Sequence, residues 1–307
     1  SHYLLIGAQN HDLEGIIKLY KFDGHWQDLG NLDFTRQKMG YMIECPNLVF
    51  IPNKDEDEEN DSNEKKPVLI FCPQGLDKSV LNYESIYPNT YVIGESFDIE
   101  NASLFQPSEL SNLDEGFDCY ATQAFNAPDG RAYAISWLGL PDTNYATDRY
   151  GYQGALSLVK ELSFKNQKLI QKPVKALRSL RESKIQITLS SDKGFSSQNC
   201  YELEISDFQN PQILYFFADS LGKAALEVQI NPESVKLIRN SANDKETREF
   251  PVRAQKLRLF ADISTFELFI NDGEKVASGR VFPNKSQQLI FSKNPMKVMI
   301  YPLKHVY

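Results

Sequence analysis

Residues 256–273 read Lys-Leu-Arg-Leu-Phe-Ala-Asp-Ile-Ser-Thr-Phe-Glu-Leu-Phe-Ile-Asn-Asp-Gly, and this stretch shows the pattern that decides the fold. Two short runs, 256–261 and 265–270, are rich in Leu, Phe and Ile. Each has the length of a strand and is too short for a helix. The Asn-Asp-Gly that follows is a turn sequence. The stretch therefore predicts two short strands, with a turn after the second one.

The same pattern recurs along the whole chain. Turn sequences such as Asp23-Gly24 and Pro128-Asp129-Gly130 separate further strand-like runs. Many short strands at this spacing predict an all-β protein, with a sandwich, a barrel or a propeller as the candidate architectures. Besides the two runs above, the predicted strands are 3–7, 16–22, 47–51, 68–72, 90–93, 132–137, 185–189, 201–205, 214–218, 225–230, 288–292 and 297–301.

One stretch has a helical pattern and marks the predicted domain boundary. Pro173 suits a first helical position, and Val174, Leu177 and Leu180 share one helical face. We therefore predict a first domain at 1–172, a linker with a short helix at 173–182, and a second domain at 183–307. The second domain has about ten short strands, which suits a sandwich of two sheets.

The first domain is predicted to be part of a propeller. It has about twelve strands, which make three to four blades of about 40 to 50 residues each. A propeller must close on itself, so at least one blade is expected to be missing. The chain opens Ser-His-Tyr-Leu-Leu, without an initiator Met, as if within a strand. We therefore expect the chain to be the carboxy-terminal part of a longer protein. The sequence does not decide whether that protein has a targeting segment upstream.

Charge and composition exclude several classes of function. The 307 residues include 33 Lys and Arg against 41 Asp and Glu, a net charge of −8, whereas nucleic-acid binders have a basic face. No apolar run reaches the roughly 18 to 20 residues of a membrane helix. The sequence has no dinucleotide fingerprint, phosphate-binding glycine loop or zinc-ligand spacing, so we expect neither a cofactor nor a metal. The four cysteines are scattered, which indicates a reducing compartment.

The most polar segment is the run at 53–66, with seven acidic residues and three lysines. A cation or partner site is one interpretation, and a solvated hairpin tip is the other. The run lacks the glycine and the ligand spacing of a calcium loop. We interpret it as a hairpin tip.

Glu44 is the clearest candidate for chemistry. Partial burial raises the pKa of a carboxyl group, as a general acid needs near neutral pH. The alternative is a strand-end glutamate paired with a basic residue. The adjacent Cys45 has no histidine near it in sequence, so a small core residue is favoured over a nucleophile. The apolar neighbours of Glu44 are Tyr41, Met42, Ile43 and Leu48.

Asp118, Tyr120 and Trp137 form a second group of candidates. Asp118 and Tyr120 are two residues apart and would share one face of a strand. An acid and a phenol on one face suit sugar hydroxyls, and they equally suit an inter-strand hydrogen bond. Trp137 is one of only two tryptophans and ends a predicted strand. It could form a platform for a sugar ring or belong to the core.

Taken in order, these motifs resemble glycoside hydrolase family 32, the β-fructofuranosidases. The resemblance covers essentially the whole chain. The landmarks are Glu-Cys-Pro at 44–46, Phe-Cys-Pro-Gln-Gly at 71–75, Gly-Phe-Asp-Cys-Tyr-Ala at 116–121, Trp-Leu-Gly-Leu-Pro-Asp at 137–142, the segment 150–161, the stretch 262–273 and Gly-Arg-Val-Phe-Pro at 279–283.

The resemblance implies a five-bladed propeller followed by a β-sandwich, and a retaining mechanism with a carboxylate nucleophile and an acid/base glutamate. Glu44 matches the acid/base. Asp118, Tyr120 and Trp137, with Cys45 beside Glu44, match positions that line the fructosyl pocket. Cys119 stands where the family usually has Phe, and should face away from that pocket.

One departure from the family bears on activity. The nucleophile of the family lies in an Asn-Asp-Pro and its stabilising acid in an Arg-Asp-Pro, and neither tripeptide occurs in this sequence. We therefore expect the chain to begin just after the second motif and to be inactive alone. Unpaired strand edges would then favour a homo-oligomer, or docking with the missing amino-terminal portion.

Three functions remain open from the sequence. The first is a fragment of a hydrolase of sucrose 6-phosphate or sucrose, cytoplasmic because 137–161 resembles the intracellular bacterial branch. The second is a non-catalytic carbohydrate-binding or interaction fragment. The third is another five-bladed glycosidase, such as an arabinan-cleaving enzyme, against which the stretch 262–273 argues.

Overall fold

The computed structural model describes residues 1–53, 64–206, 208, 210–241 and 244–304. Most of the acidic run at 53–66 lies outside the described residues. In the described part, the secondary structure consists of strands and three short 3-10 helices, so the predicted all-β class is confirmed. None of the described helices is long and apolar enough to span a membrane.

The first fourteen strands form small sheets. In sheet order these are β1-β2-β3, β4-β5-β6-β9, the pair β7-β8, and β10-β11-β13-β14 with β12 beside β11. The strands are β1 (His2–Gln9), β2 (Gly15–Phe22), β3 (Trp26–Asn31), β4 (Met42–Pro52), β5 (Lys65–Gln74), β6 (Thr90–Ile93), β7 (Ser96–Asp98), β8 (Ser103–Phe105), β9 (Ser111–Asn112), β10 (Cys119–Asn126), β11 (Ala132–Leu138), β12 (Ala155–Leu156), β13 (Lys160–Lys165) and β14 (Lys168–Pro173).

The following twelve strands form two six-stranded sheets. Their orders are β15-β26-β17-β22-β23-β24 and β16-β25-β18-β19-β20-β21. The strands are β15 (Ile185–Leu189), β16 (Phe195–Ser196), β17 (Tyr201–Ile205), β18 (Gln212–Ala218), β19 (Ala224–Ile230), β20 (Ser234–Asn240), β21 (Lys245–Pro251), β22 (Leu257–Asp262), β23 (Thr265–Ile270), β24 (Lys275–Arg280), β25 (Leu289–Ser292) and β26 (Met296–Pro302).

The chain divides into two compact units. The first contains Ser1–Asp114, Cys119–Thr143 and Leu156–Ile170. The second contains Glu115–Asp118, Asn144–Ala155 and Gln171–Tyr307. The division at residue 170 lies close to the predicted linker at 173–182, whereas two earlier segments also group with the second unit.

The core of the first unit follows from alternation along β5. Leu69 and Phe71 pack into one hydrophobic cluster with Ile17 of β2. Val68 and Ile70 pack into another cluster with Ala132 of β11. Because successive side chains of a strand point to opposite faces, the sheet that contains β5 is covered on both faces. In the second unit, the two six-stranded sheets contribute to one shared cluster.

All fourteen predicted strand runs fall on observed strands, with ends that differ by at most a few residues. The predicted helix is only partly confirmed. Pro173 ends strand β14 and does not open a helix, and the helical segment is a single 3-10 helix, Lys175–Leu180. None of its residues is fully buried, but the expected apolar face is partly used, because Val174, Leu177 and Leu180 are half-buried whereas the residues between them are exposed. A segment this short gains too few hydrogen bonds to favour an α-helix.

Candidate active site

Glu44 lies on β4 at a β-bulge. Glu44 pairs with Cys72 and Asn47 pairs with Ile70, so Cys45 and Pro46 together oppose a single residue of β5. Cys45 has a left-handed backbone with φ of 50°, which is strained for a residue with a side chain. Proline suits the bulge because it has no N–H to give to the ladder. The bulge re-aims the Glu44 side chain away from regular strand geometry.

Tyr120 lies beside a second bulge of the same kind, on β10. Tyr120 pairs with Trp137 of β11 and Gln123 pairs with Ile135, so Ala121 and Thr122 oppose one residue. Ala121 also has a left-handed φ of 50°. Each of the two polar side chains is thus followed directly by a strained residue. Strain of this kind costs of the order of 1–3 kcal/mol per residue and concentrates at functional sites.

The two bulged strands bring Glu44 and Tyr120 into direct contact. The Tyr120 hydroxyl donates a hydrogen bond of 2.6 Å to Oε2 of Glu44, and Nε2 of Gln74 donates to the Tyr120 oxygen at 3.3 Å. Burial, and then the hydrogen bond to the Glu44 carboxylate, raise the pKa of Tyr120. The phenol is therefore a proton donor throughout the neutral range. Oε1 of Glu44 has no hydrogen-bond partner among the described residues.

Aromatic side chains form a wall around this pair. Trp137 packs in one small cluster with Tyr120, Cys72 and Leu140. The indole ring covers Gly139, where any Cβ would overlap it. The ring of Tyr87 lies 5.3 Å from that of Tyr120. Half-buried aromatic rings beside a carboxyl group suit a sugar, which offers both apolar faces and hydroxyls.

Cys45 is half-buried beside Glu44 and has no structural feature of a nucleophile. Burial, and then the negative charge of Glu44, raise the pKa of its thiol. Because the thiolate is the reactive form, a raised pKa makes the thiol inert near neutral pH. Cys45 can therefore contact a ligand without reacting with it. It is only half-buried, so it is not the fully buried core residue favoured from the sequence.

A buried polar layer supports the bulge of β10. Nδ2 of Asn89 donates to Oγ1 of Thr122 at 2.7 Å, and the Thr122 and Ser136 hydroxyls are 2.7 Å apart. Ser136 N in turn donates to Oγ of Ser157 at 2.9 Å. None of these residues was predicted from the sequence, nor were Gln74 and Tyr87. Gln74 and Ser157 have a signal in the sequence, because they belong to the Phe-Cys-Pro-Gln-Gly motif and to the segment 150–161.

The structure groups Glu44, Cys45, Tyr120 and Trp137 but not Asp118. Asp118 belongs to the second unit, and its side chain is fully buried. Its Oδ1 accepts from the Tyr145 hydroxyl at 2.9 Å, and its Oδ2 accepts from the Arg280 backbone N–H at 2.7 Å and from the Arg239 guanidinium. Strand β10 begins only at Cys119, so the strand face that Asp118 was expected to share with Tyr120 does not exist. The carboxylate thus accepts three hydrogen bonds from protein donors, which leaves about one of its four acceptor sites for a ligand.

Comparison with known proteins agrees with these motifs. The model described as glycosyl hydrolases family 32 N-terminal domain matches residues 1–173, and the model described as glycosyl hydrolases family 32 C terminal matches residues 161–300. A sucrose-6-phosphate hydrolase of Lactococcus lactis subsp. lactis is 51% identical over 312 residues, which cover 98% of this chain and 62% of that protein. The enzyme of the same name from Streptococcus mutans is 48% identical, and this chain matches 60% of its length.

Solved structures show the same relationship. The sucrose-6-phosphate hydrolase of Lactobacillus gasseri superposes with a TM-score of 0.88 at 37% identity, over 99% of this chain and 64% of that one. A variant of a Bombyx mori GH32 beta-fructofuranosidase in complex with sucrose superposes with a TM-score of 0.82 at 26% identity. The superposition covers 99% of this chain and 63% of that one. The chain spans about three fifths of the length of the relatives it matches.

Proposed function

The chain belongs to glycosyl hydrolase family 32, and on that premise we propose that it contributes the acid/base half of a retaining β-fructofuranosidase. The proposed substrates are sucrose 6-phosphate and sucrose, the compounds named for its relatives. The observation that carries the proposal is the contact of Tyr120 with Oε2 of Glu44, which leaves Oε1 without a protein partner among the described residues. No cofactor takes part in this chemistry.

Glu44 acts twice in the proposed reaction. In the first step its Oε1 gives a proton to the glycosidic oxygen as the C–O bond to the fructosyl unit breaks, while a carboxylate nucleophile forms the covalent intermediate. In the second step the Glu44 carboxylate takes a proton from water, which attacks that intermediate. A hydrogen bond to a charged acceptor is stronger than one to a neutral acceptor. Tyr120 therefore stabilises Glu44 most in its ionised form, which appears as the proton leaves.

The remaining site residues bind the sugar. Trp137 offers its indole face to the fructosyl ring, and Cys45 fills space beside the acid without reacting. Asp118 was expected at this pocket; we propose instead that it acts as a buried anchor of the segment that precedes Tyr120. We propose that the sheets of residues 183–307 carry no catalytic group.

The nucleophile is proposed to come from outside these 307 residues. The family carries it in an Asn-Asp-Pro, and its stabilising acid in an Arg-Asp-Pro, and neither motif occurs in this sequence. We propose that the sheets of residues 1–172 are blades of an incomplete five-bladed propeller, and that those of 183–307 form a sandwich. Exposed Leu4 and Ile6 on β1 would then favour self-association or docking with an amino-terminal segment. The proposed location is the cytoplasm, since the four cysteines are free thiols.

The proposal is tested by adding the missing motifs. In a complemented protein, the chain follows the segment of a family 32 member that carries Asn-Asp-Pro and Arg-Asp-Pro. The complemented protein is expected to hydrolyse sucrose or its 6-phosphate, and in methanol to form the β-fructoside, since a retaining enzyme keeps the configuration. The 307-residue chain alone is expected to show no turnover. An α-fructoside product, or turnover by the chain alone, would contradict the proposal.

The second candidate is a non-catalytic carbohydrate-binding or interaction fragment. The absence of both carboxylate motifs from the sequence favours it. It predicts that the chain binds fructose or sucrose, with a response of Trp137 fluorescence in a Trp26→Phe variant, whereas the complemented protein stays inactive.

A further inference from the structure

The side chain of Asn47 touches both bulges of the site. Its Nδ2 donates to the backbone carbonyl of Cys45 at 2.8 Å and to that of Thr122 at 2.8 Å. Its Oδ1 accepts from the backbone N–H of Ala124 at 3.0 Å. Cys45 directly follows Glu44, and Thr122 lies in the bulge that directly follows Tyr120. A single amide thus links the two strained segments from which the acid and its donor project.

No ladder of backbone hydrogen bonds joins the two strands that carry Glu44 and Tyr120. Strand β4, which carries Glu44, belongs to one sheet, and β10, which carries Tyr120, belongs to another. The position of Glu44 relative to Tyr120 therefore depends on side chains that bridge the two strands. An amide suits this role because it offers two donors and an acceptor in one rigid plane. Each of the three hydrogen bonds of the Asn47 side chain goes to a backbone group. Asn47 therefore fixes the backbone of both strands and not only their side chains.

A second asparagine bridges the same strands away from the bulges. The Phe50 backbone N–H donates to Oδ1 of Asn126 at 2.8 Å, and Nδ2 of Asn126 donates to the Phe50 carbonyl at 2.7 Å. Asn126 is exposed at the far end of β10, six residues beyond Tyr120. It makes the same type of bridge at a regular position, and so provides a matched control.

We propose that Asn47 is a positioning residue that sets the hydrogen bond of Tyr120 to Glu44 by fixing the two bulges relative to each other. The functional part of this inference rests on the proposed function. The geometric part does not, because it concerns the backbone on either side of Cys45 and Tyr120.

The functional part is tested in the complemented protein with two substrates. Asn47→Ala is expected to lower kcat for sucrose about 10²-fold with little change in KM, since a displacement of about 1 Å at a catalytic group has that effect. Fructosyl fluoride, whose leaving group needs little protonation, should be slowed by a smaller factor. Asn126→Ala should leave both rates unchanged. Equal losses for both substrates, or equal losses in both variants, would overturn the proposal.

The geometric part is tested on the 307-residue chain by thiol alkylation. Asn47→Ala frees the Cys45 carbonyl and loosens its bulge, so Cys45 should react several-fold faster than in the unchanged chain, while Asn126→Ala has no effect. Buried Cys72 on β5 must stay unreactive, which shows that the unit is folded. If Asn47→Ala exposes Cys72, Asn47→Ser, which keeps a hydroxyl donor, takes its place. An unchanged Cys45 rate in a folded variant would overturn the proposal, whether or not the complemented protein hydrolyses sucrose.

Discussion

The Tyr120 hydroxyl lies 2.6 Å from Oε2 of Glu44, across two strands that belong to different sheets. The residue after each of these side chains has a left-handed backbone. A β-bulge re-aims the side chains of its strand, and each strand has one directly after the residue concerned. The two bulges therefore contribute to the directions of both side chains.

Tyr120→Phe should lower kcat of the complemented protein about 10- to 100-fold. The variant keeps the ring against Tyr87 and removes only the hydrogen bond to a charged group, worth about 1.5–3 kcal/mol. Tyr133→Phe, on the neighbouring strand β11, is the control and should leave kcat unchanged. Steady-state kinetics of both variants measure the effect, and equal kcat values for the two would contradict the role of Tyr120.

Gly7→Ala should lower both kcat and the free energy of unfolding. A Cβ on Gly7 would overlap the carbonyl oxygen of Ile43, the residue before Glu44, so β1 or β4 must shift. Overpacking of this kind costs about 1–3 kcal/mol. Gly24→Ala is the control, because its φ of +83° makes alanine strained while the space around it is open. It should cost stability, measured by urea unfolding, without a change in kcat. A Gly7→Ala variant with unchanged kcat would contradict the expectation that packing at Gly7 affects the position of Glu44.

Glu202 should make the second unit sensitive to acid. It is fully buried, and Arg181 donates to both its oxygens at 2.6 and 2.5 Å, with Arg258 as a further donor. Burial alone would raise the pKa of Glu202, but the hydrogen bonds and charges of the two arginines outweigh it and lower the pKa. A lowered pKa stabilises the fold above the unfolded value of about 4.3, and this contribution is lost as the pH falls further.

Glu202→Gln should therefore cost about 1.5–3 kcal/mol near neutral pH, since it removes the buried charged acceptor of two partly buried arginines and leaves them only Glu204, and the cost should shrink towards acid pH. Glu204→Gln is the control, because Glu204 also pairs with Arg181 at 2.6 Å but is partly exposed. Its cost should stay near or below about 1 kcal/mol. Urea unfolding at several pH values measures both variants. Equal costs, or no change with pH, would contradict the buried pairing.

The strands, and Glu44 as a candidate site residue, could be predicted from the sequence because both depend on local patterns. The runs at 90–93, 185–189, 201–205 and 265–270 coincide with β6, β15, β17 and β23. Turn residues separate the strands, as at Gly130 between β10 and β11, whose φ is 84°. Glu44 and Tyr120 were singled out because each belongs to a short motif of unusual composition.

The rest of the site depends on contacts that the sequence does not display. Left-handed backbone at Cys45 and Ala121 is not expected of residues other than glycine. The bond from Asn47 to Thr122 joins residues 75 positions apart. Asp118 was expected to share a strand face with Tyr120 because the strand of Tyr120 was assumed to begin earlier, whereas β10 begins at Cys119 and the segment before it belongs to the second unit.

Glu44→Gln in the complemented protein, assayed with sucrose and with fructosyl fluoride, tests whether Glu44 is the general acid. A general acid is worth about 10²- to 10⁴-fold, so kcat for sucrose should fall by that factor. Fluoride departs with little protonation, so the rate of the first step with fructosyl fluoride should fall far less. If Glu44 is the acid, the loss is therefore much larger for sucrose than for fructosyl fluoride. Equal losses for both would show that Glu44 is not the acid.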